Sequence, residues 1–194
     1  YRGNPNPLHE IHPGPSYAVD LLSQGLPLGM IAGTDTHATM PSWEAPGDAG
    51  HIDRLPGLAA VRTTELSRRA IFEALRGRSC YGASGERVYL DMDVAGAAMG
   101  MELVWTGGPR TIRVTAAGRS EIERIDVVRN GETVHSARPD GWRGTLDWTD
   151  SDELDGLWLD SRELGPFVYY YVRVTCTSGA QAWSSPVWLR RRSD

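Results

Sequence analysis

Asp35 and His37 stand two residues apart in Gly33-Thr34-Asp35-Thr36-His37, directly after the uncharged run Leu28-Gly29-Met30-Ile31-Ala32. If that run is a strand, its period of two sends both side chains the same way, past the carboxyl end where α/β folds bind ligands. A carboxylate oxygen and an imidazole nitrogen suit zinc, manganese or iron. Such a cation lowers the pKa of a bound water and polarises a phosphoryl oxygen, the two requirements of phosphate-ester hydrolysis. The plain alternative is a loop in which Thr34 or Asp35 caps the following segment and His37 meets water. Two donors also cannot close a coordination sphere of four or more. His9, Glu10 and His12, on a Pro- and Gly-rich stretch upstream, offer further donors, with His9 and His12 as candidate ligands or as solvated loop histidines. His51 and Arg54 follow in the loop after the pair and are candidate substrate contacts, and Arg54 or Arg62 could grip a phosphate bidentately.

The elements that would position these groups follow from punctuation and periodicity. Ser16 is placed to cap a helix over residues 17–24, with Val19, Leu21 and Leu22 apolar and Gly25 as its stop. Leu28–Ala32 reads as a buried strand of a sheet covered on both faces. A Pro- and Gly-rich loop spans 38–56, Leu58–Val61 is a second short strand, and Ser67 caps a helix to Arg76 that Gly77 ends. This is an α/β order, but it holds two strands where a closed α/β barrel takes roughly 200 residues or more. Too short for a whole barrel or doubly wound sheet, the stretch 1–85 is expected to be cut from something larger, and the resemblance given below implies the last part of a barrel.

From Glu86 onward the pattern changes to period two. Val88, Leu90, Met92 and Val94 alternate with Tyr89, Asp91 and Asp93, and further strands are expected at 102–105, 111–117, 122–129, 133–136, 167–177 and 180–189. Asn130-Gly131 and Ser178-Gly179 are hairpin turns. In the longest strand Val168, Tyr170, Val172, Val174 and Cys176 share one face, and Pro186 belongs at an edge or bulge. Strands at such spacing without helices predict an immunoglobulin- or fibronectin-like β-sandwich over 86–194. Asp91 and Asp93 lie on its solvated face. The acidic stretch Asp147, Asp150, Asp152, Glu153 and Asp155, with Trp142, Trp148 and Trp158 nearby, could suggest calcium binding or sugar stacking, but no 12-residue loop with regularly spaced donors emerges, so it reads as a long solvated connection that the tryptophans pin to the core.

A formal charge of -5 and a pI near 5.5 remove the attraction on which non-specific nucleic-acid binding relies, and Arg190-Arg191-Arg192 is the one basic cluster. No nucleic-acid partner is expected. No apolar run of about 18 residues is present, so no membrane partner is expected, and a cytoplasmic location is the expectation. Cys80 and Cys176 lack CxxC partners and read as reduced and partly buried.

The text from Ala18 to His37, with Gly57-Leu58-Ala59-Ala60-Val61, Leu66 to Arg76 and Cys80-Tyr81-Gly82-Ala83-Ser84-Gly85, resembles the final part of the PHP (polymerase and histidinol phosphatase) superfamily, in particular the DUF3604 family. The likeness continues in Val127-Val128-Arg129-Asn130-Gly131, Tyr169 to Val174 and Ala182-Trp183-Ser184-Ser185-Pro186. The resemblance implies a distorted TIM-like barrel holding two or three divalent metal ions (Zn, Mn or Fe), with Asp35 and His37 as the last pair of ligands and a C-terminal sandwich beside it. It implies hydrolysis of a small-molecule phosphate ester by metal-activated water. The family's first ligands, an HxH pair, are absent from these 194 residues, so the chain alone is expected to be inactive and to need the N-terminal barrel portion. Two alternatives stand beside this reading. One is an amidohydrolase-like enzyme with a carboxylate as general base; the other is a non-catalytic β-sandwich that binds a partner.

Overall fold

A computed structural model describes residues 17–33 and 55–192. Among them are two helices and thirteen strands. In chain order these are α1 (Ala18–Ser23), β1 (Leu55–Val61), α2 (Arg68–Arg76), β2 (Cys80–Gly85), β3 (Tyr89–Val94), β4 (Ala97–Ala98), β5 (Glu102–Trp105), β6 (Arg110–Ala117), β7 (Ile122–Arg129), β8 (Glu132–Ala137), β9 (Arg143–Asp150), β10 (Leu159–Ser161), β11 (Gly165–Cys176), β12 (Gln181–Ser184) and β13 (Val187–Arg191).

The strands form a β-sandwich. The smaller sheet has the order β4-β3-β6-β9. The larger is organised on β11, whose twelve residues outlast any one neighbour. On one flank β13 pairs with its first half and β12 with its second; on the other, β10 and then β7 do the same. Outward from these, β8 follows β7, β2 and β1 follow β12, and β5 runs parallel to β13. The chain crosses from β12 to β13 at Ser185-Pro186, so the proline sits in the break between two strands, where its missing N–H costs no ladder bond.

Leu90, Met92 and Val94 of β3, Ile112, Val114 and Ala116 of β6 and Leu146 of β9 face Ile125 and Val127 of β7 and Val168, Tyr170, Val172, Val174 and Cys176 of β11 across one apolar core. That is the face expected of the longest strand. Its other face is also covered, because Phe167 and Tyr169 pack with Leu22 of α1, Leu164 and Trp188 in a second cluster. Ser67 caps α2 as expected, accepting the Ala70 N–H. Tyr17 holds the cap position of α1 and Asp20 accepts its N–H; Ser16 lies outside the described residues.

Three expectations are corrected. Leu28–Ala32 is no buried strand: it joins no ladder, and Ile31 is 62% exposed. The uncharged run is compatible with a central strand, but only Met30 packs against the second cluster, while Leu28 and Ile31 stay exposed. Residues 143–150, expected within a solvated connection, form β9, paired along its whole length with β6. Gly144, Leu146 and Asp150 alternate inward there, and the inward carboxylate of Asp150 is tolerated because arginines neutralise it. Lastly, β1 and β2 are antiparallel to each other, and β2 pairs with β12, so the larger sheet runs across the expected division at residue 85/86. Antiparallel neighbours are the arrangement of sandwiches, whereas barrel strands are parallel. The described residues thus show β-sheet architecture and no barrel strand.

Candidate functional site

Asp35, His37, His9, His12, His51 and Arg54 all lie outside the described residues. No group of three or more His, Cys, Asp or Glu side chains able to hold a metal ion occurs among the described residues. Arg62 pairs with Asp91, the carboxylate of β3 that lies on the solvated face. Asp93 meets Arg113 in a similar surface pair.

The segment that leads into Thr34 is nevertheless fixed. The Met30 N–H donates to Ser185 Oγ at 2.8 Å, and Ser185 Oγ donates in turn to the Cys80 carbonyl at 2.6 Å. Gly82 of β2 lies so close under Ile31 and Ala32 that a Cβ there would stand 3.0 Å from the Ile31 carbonyl carbon. A Cβ on Gly57 would collide with the Gly33 carbonyl oxygen. Two glycines and one serine therefore seat residues 30–33 on the β1-β2-β12 end of the larger sheet.

At the other end of the molecule a cleft of about 500 Å³ opens where β5 ends, β6 begins, β9 ends and β13 ends. Trp105 and Trp158 are its aromatic walls, the turn 106–109 closes one side, and Asp152, Glu153 and Asp155 line the other with Arg191 and Arg192. The Arg110 guanidinium lies 6.0 Å from the Trp105 ring centre and that of Arg191 5.8 Å from Trp158, both within cation–π range.

The cleft floor is a buried ion network. Arg110 and Asp150, 3% and 1% exposed, pair at 2.9 Å. Arg129 donates to the other carboxylate oxygen at 2.7 Å, as does the Tyr170 hydroxyl at 2.7 Å. Arg110 Nη2 also donates to the Asp152 carbonyl at 2.7 Å, which ties the floor to the lip. Burial alone would raise the Asp150 carboxyl, but hydrogen bonds from Tyr170, the Asp152 N–H and both arginines outweigh it and hold it below the usual carboxylate range. Burial and the neighbouring carboxylate push the Tyr170 hydroxyl well up. The lip is pinned a second time by Asn130, whose left-handed backbone begins the expected hairpin turn and whose amide donates to the Leu157 carbonyl at 2.7 Å.

Sequence reasoning missed this cleft. Trp158 and the acidic stretch were visible, but Trp105 and Arg110 come together with them only through the pairing of β5 with β13 and of β6 with β9. Of the other two tryptophans near that stretch, Trp148 stacks on His135 at 4.8 Å and Trp142 is exposed beside Arg143. Both cysteines are buried and free, and burial pushes the Cys176 thiol up to about 11, so Cys176 is not poised as a nucleophile.

Fold and cleft define a β-sandwich with a concave end. Three uncharacterized chlamydial proteins are similar in sequence. One from Chlamydia muridarum (strain MoPn / Nigg) is 38% identical over 140 residues, which cover 69% of this chain and 22% of the relative. One from Chlamydia pneumoniae is 34% identical over 148 residues, covering 73% and 24%, and one from Chlamydia trachomatis serovar D is 36% identical over 140 residues, covering 69% and 22%. The chain thus spans less than a quarter of the length of these relatives. No protein-family model matches the chain, and no solved structure matches it. No helix among the described residues is long and apolar enough to cross a membrane.

Proposed function

We propose that this chain is the sandwich-bearing part of a longer metal-dependent phosphoesterase of the PHP type, similar to the DUF3604 proteins, in which Asp35 and His37 contribute to the metal site. The observation that carries the reading is the anchoring of residues 30–33. The backbone that enters the Asp35–His37 segment is clamped to the sandwich by Ser185, Gly82 and Gly57, which suits a module that holds a ligand-bearing loop in place. The length of the relatives leaves room for the remaining donors, and the exposed apolar side chains of α2 suit a helix that packs on further structure. Since the sheet that carries β1 and β2 belongs to the sandwich, the barrel would end before β1. The strand order, β4-β3-β6-β9 facing a sheet built on β7, β11 and β13, suits an immunoglobulin-type sandwich.

In this proposal the Asp35 carboxylate and the His37 imidazole are donors of the right type for Zn, Mn or Fe, although two are too few. A divalent cation there would supply an activated water and a polarised phosphoryl oxygen. The chain's own part is to fix the loop and to bring His51 and Arg54 toward a small phosphate ester. Metal content and hydrolysis of p-nitrophenyl phosphate and its bis ester, measured on the longer protein and its Asp35→Ala and His37→Ala variants, test the reading. Loss of both metal and activity in the variants is expected. Unchanged metal content in Asp35→Ala would remove the proposal. A second reading, a sandwich that binds a ligand without catalysis, is favoured by the cleft between Trp105 and Trp158.

A further inference from the structure

We propose that the cleft between Trp105 and Trp158 is a binding site for a neutral saccharide. Its cations, Arg110, Arg191 and Arg192, are matched by its carboxylates, Asp152, Glu153 and Asp155, so the lining selects neither a polyanion nor a polycation. What such a surface does offer is many hydrogen-bond donors and acceptors placed between two indole rings. A pyranose ring has the complementary chemistry: vicinal hydroxyls that bridge carboxylates and guanidinium forks, and an axial C–H face that lies against an aromatic ring. The volume of about 500 Å³ falls within the range of small-molecule sites and admits a few sugar rings.

The site is also preorganised, which limits the entropy lost on binding. Arg110 is held by Asp150 and by the Asp152 carbonyl, Asp152 by Arg129, and the Leu157 carbonyl by Asn130, so floor and lip are fixed before a ligand arrives. Arg191, exposed and 5.8 Å from the Trp158 ring centre, can swing from the indole to a ligand hydroxyl. In contrast to the metal reading, nothing here depends on residues outside the described ones, and a protein that holds no metal would still bind sugar.

The test is isothermal titration of the 194-residue chain with maltotriose, cellotriose, xylotriose and chitotriose, alongside a sulfated trisaccharide and a cationic peptide as contrasts. One neutral trisaccharide should bind with a Kd of about 1 mM or tighter. Trp158→Ala should weaken it about tenfold, and so should the paired Glu153→Gln and Asp155→Asn substitutions, which change only exposed side chains and keep the test sound if Trp158→Ala fails to fold. Trp142→Ala, outside the cleft, should bind like the parent. Binding of none of the four at roughly 10 mM, preference for the sulfated sugar or the peptide, or affinity unchanged in both cleft variants would each overturn the proposal.

Discussion

The sandwich core and α2, the helix between β1 and β2, treat apolar side chains in opposite ways. In the sandwich, Leu90, Ile112, Val172 and Leu189 are buried from both sheets. In α2 and its surroundings, Phe72 is 59% exposed, Leu66 92%, and no residue of the helix is buried. Yet α2 is amphipathic, with Ile71, Phe72 and Leu75 on its apolar stripe. The difference teaches that the same kind of sequence signal has found its partner in one region and not, among the described residues, in the other. Stability should therefore reside in the sandwich.

The most severe challenge to the contrast is Asp150→Ala. It leaves Arg110 buried without its carboxylate and should cost about 3–5 kcal/mol in urea unfolding of the 194-residue chain. Leu90→Ala should cost about 2–5 kcal/mol by opening a cavity between the sheets. A loss near zero in either would mean that the core is not where cohesion lies.

Acid should act through the same region. Burial opposes ionisation of Asp126 and Glu86, yet Ser136 and Arg173 for the first, and Ser120 and the Arg119 N–H for the second, hold both carboxyls below their ordinary values, as in Asp150. A depressed folded pKa gives stability that is present above the unfolded value of about 4 and is lost as pH falls through the folded one. The urea midpoint should hence be level near neutrality and drop below about pH 4, less steeply in Asp126→Asn; a level midpoint down to pH 3 would contradict the buried-network account. Alkali gives the mirror case. Burial pushes the Tyr169 hydroxyl up to about 12, against a hydrogen bond from Ser23, and raises Tyr170, Tyr171 and Tyr81 as well. Stability from these groups is present below about pH 10 and lost as pH climbs through their folded values, so tyrosinate absorbance from these four should appear only well above pH 10, together with unfolding. Ionisation of these four near pH 10 with the fold intact would argue against it.

The smallest effect is the most informative about α2. Phe72→Ala should shift the stability of this chain by no more than about 0.5 kcal/mol. A loss of several times that would show that the helix already has a partner.

The sandwich was legible where period two is clean, as in β3 and β6, and where β-formers and turn residues bound a run: 122–129 and 102–105 emerge with the expected bounds, and Asn130-Gly131 turns the chain as its left-handed backbone requires. The 180–189 run was read as one strand, whereas Pro186 divides it into two that serve different halves of β11. β9 was missed because its inward positions include Gly144 and Asp150, and a buried aspartate reads as solvent until its arginine partners are known. Leu28–Ala32 failed in the other direction, since an apolar run specifies a strand only when there is a sheet to receive it. For the proposed metal site, residue types and spacing could name Asp35 and His37, which lie outside the described residues. For the cleft, no spacing could bring Trp105 to Trp158, because that proximity is made by pairings between remote strands.

The interior place of β11 and β13 bears on biosynthesis. As the ribosome delivers the chain, β3 to β9 appear first, with an apolar face prepared for strands that are still unmade. Until β11 and then β13 are released, β7 has β8 on one side only and β5 lacks the strand it pairs with. Nascent sandwich of this kind spends its early life with open edges, the condition under which chaperones are recruited and aggregation competes, and its closure should be late and slow.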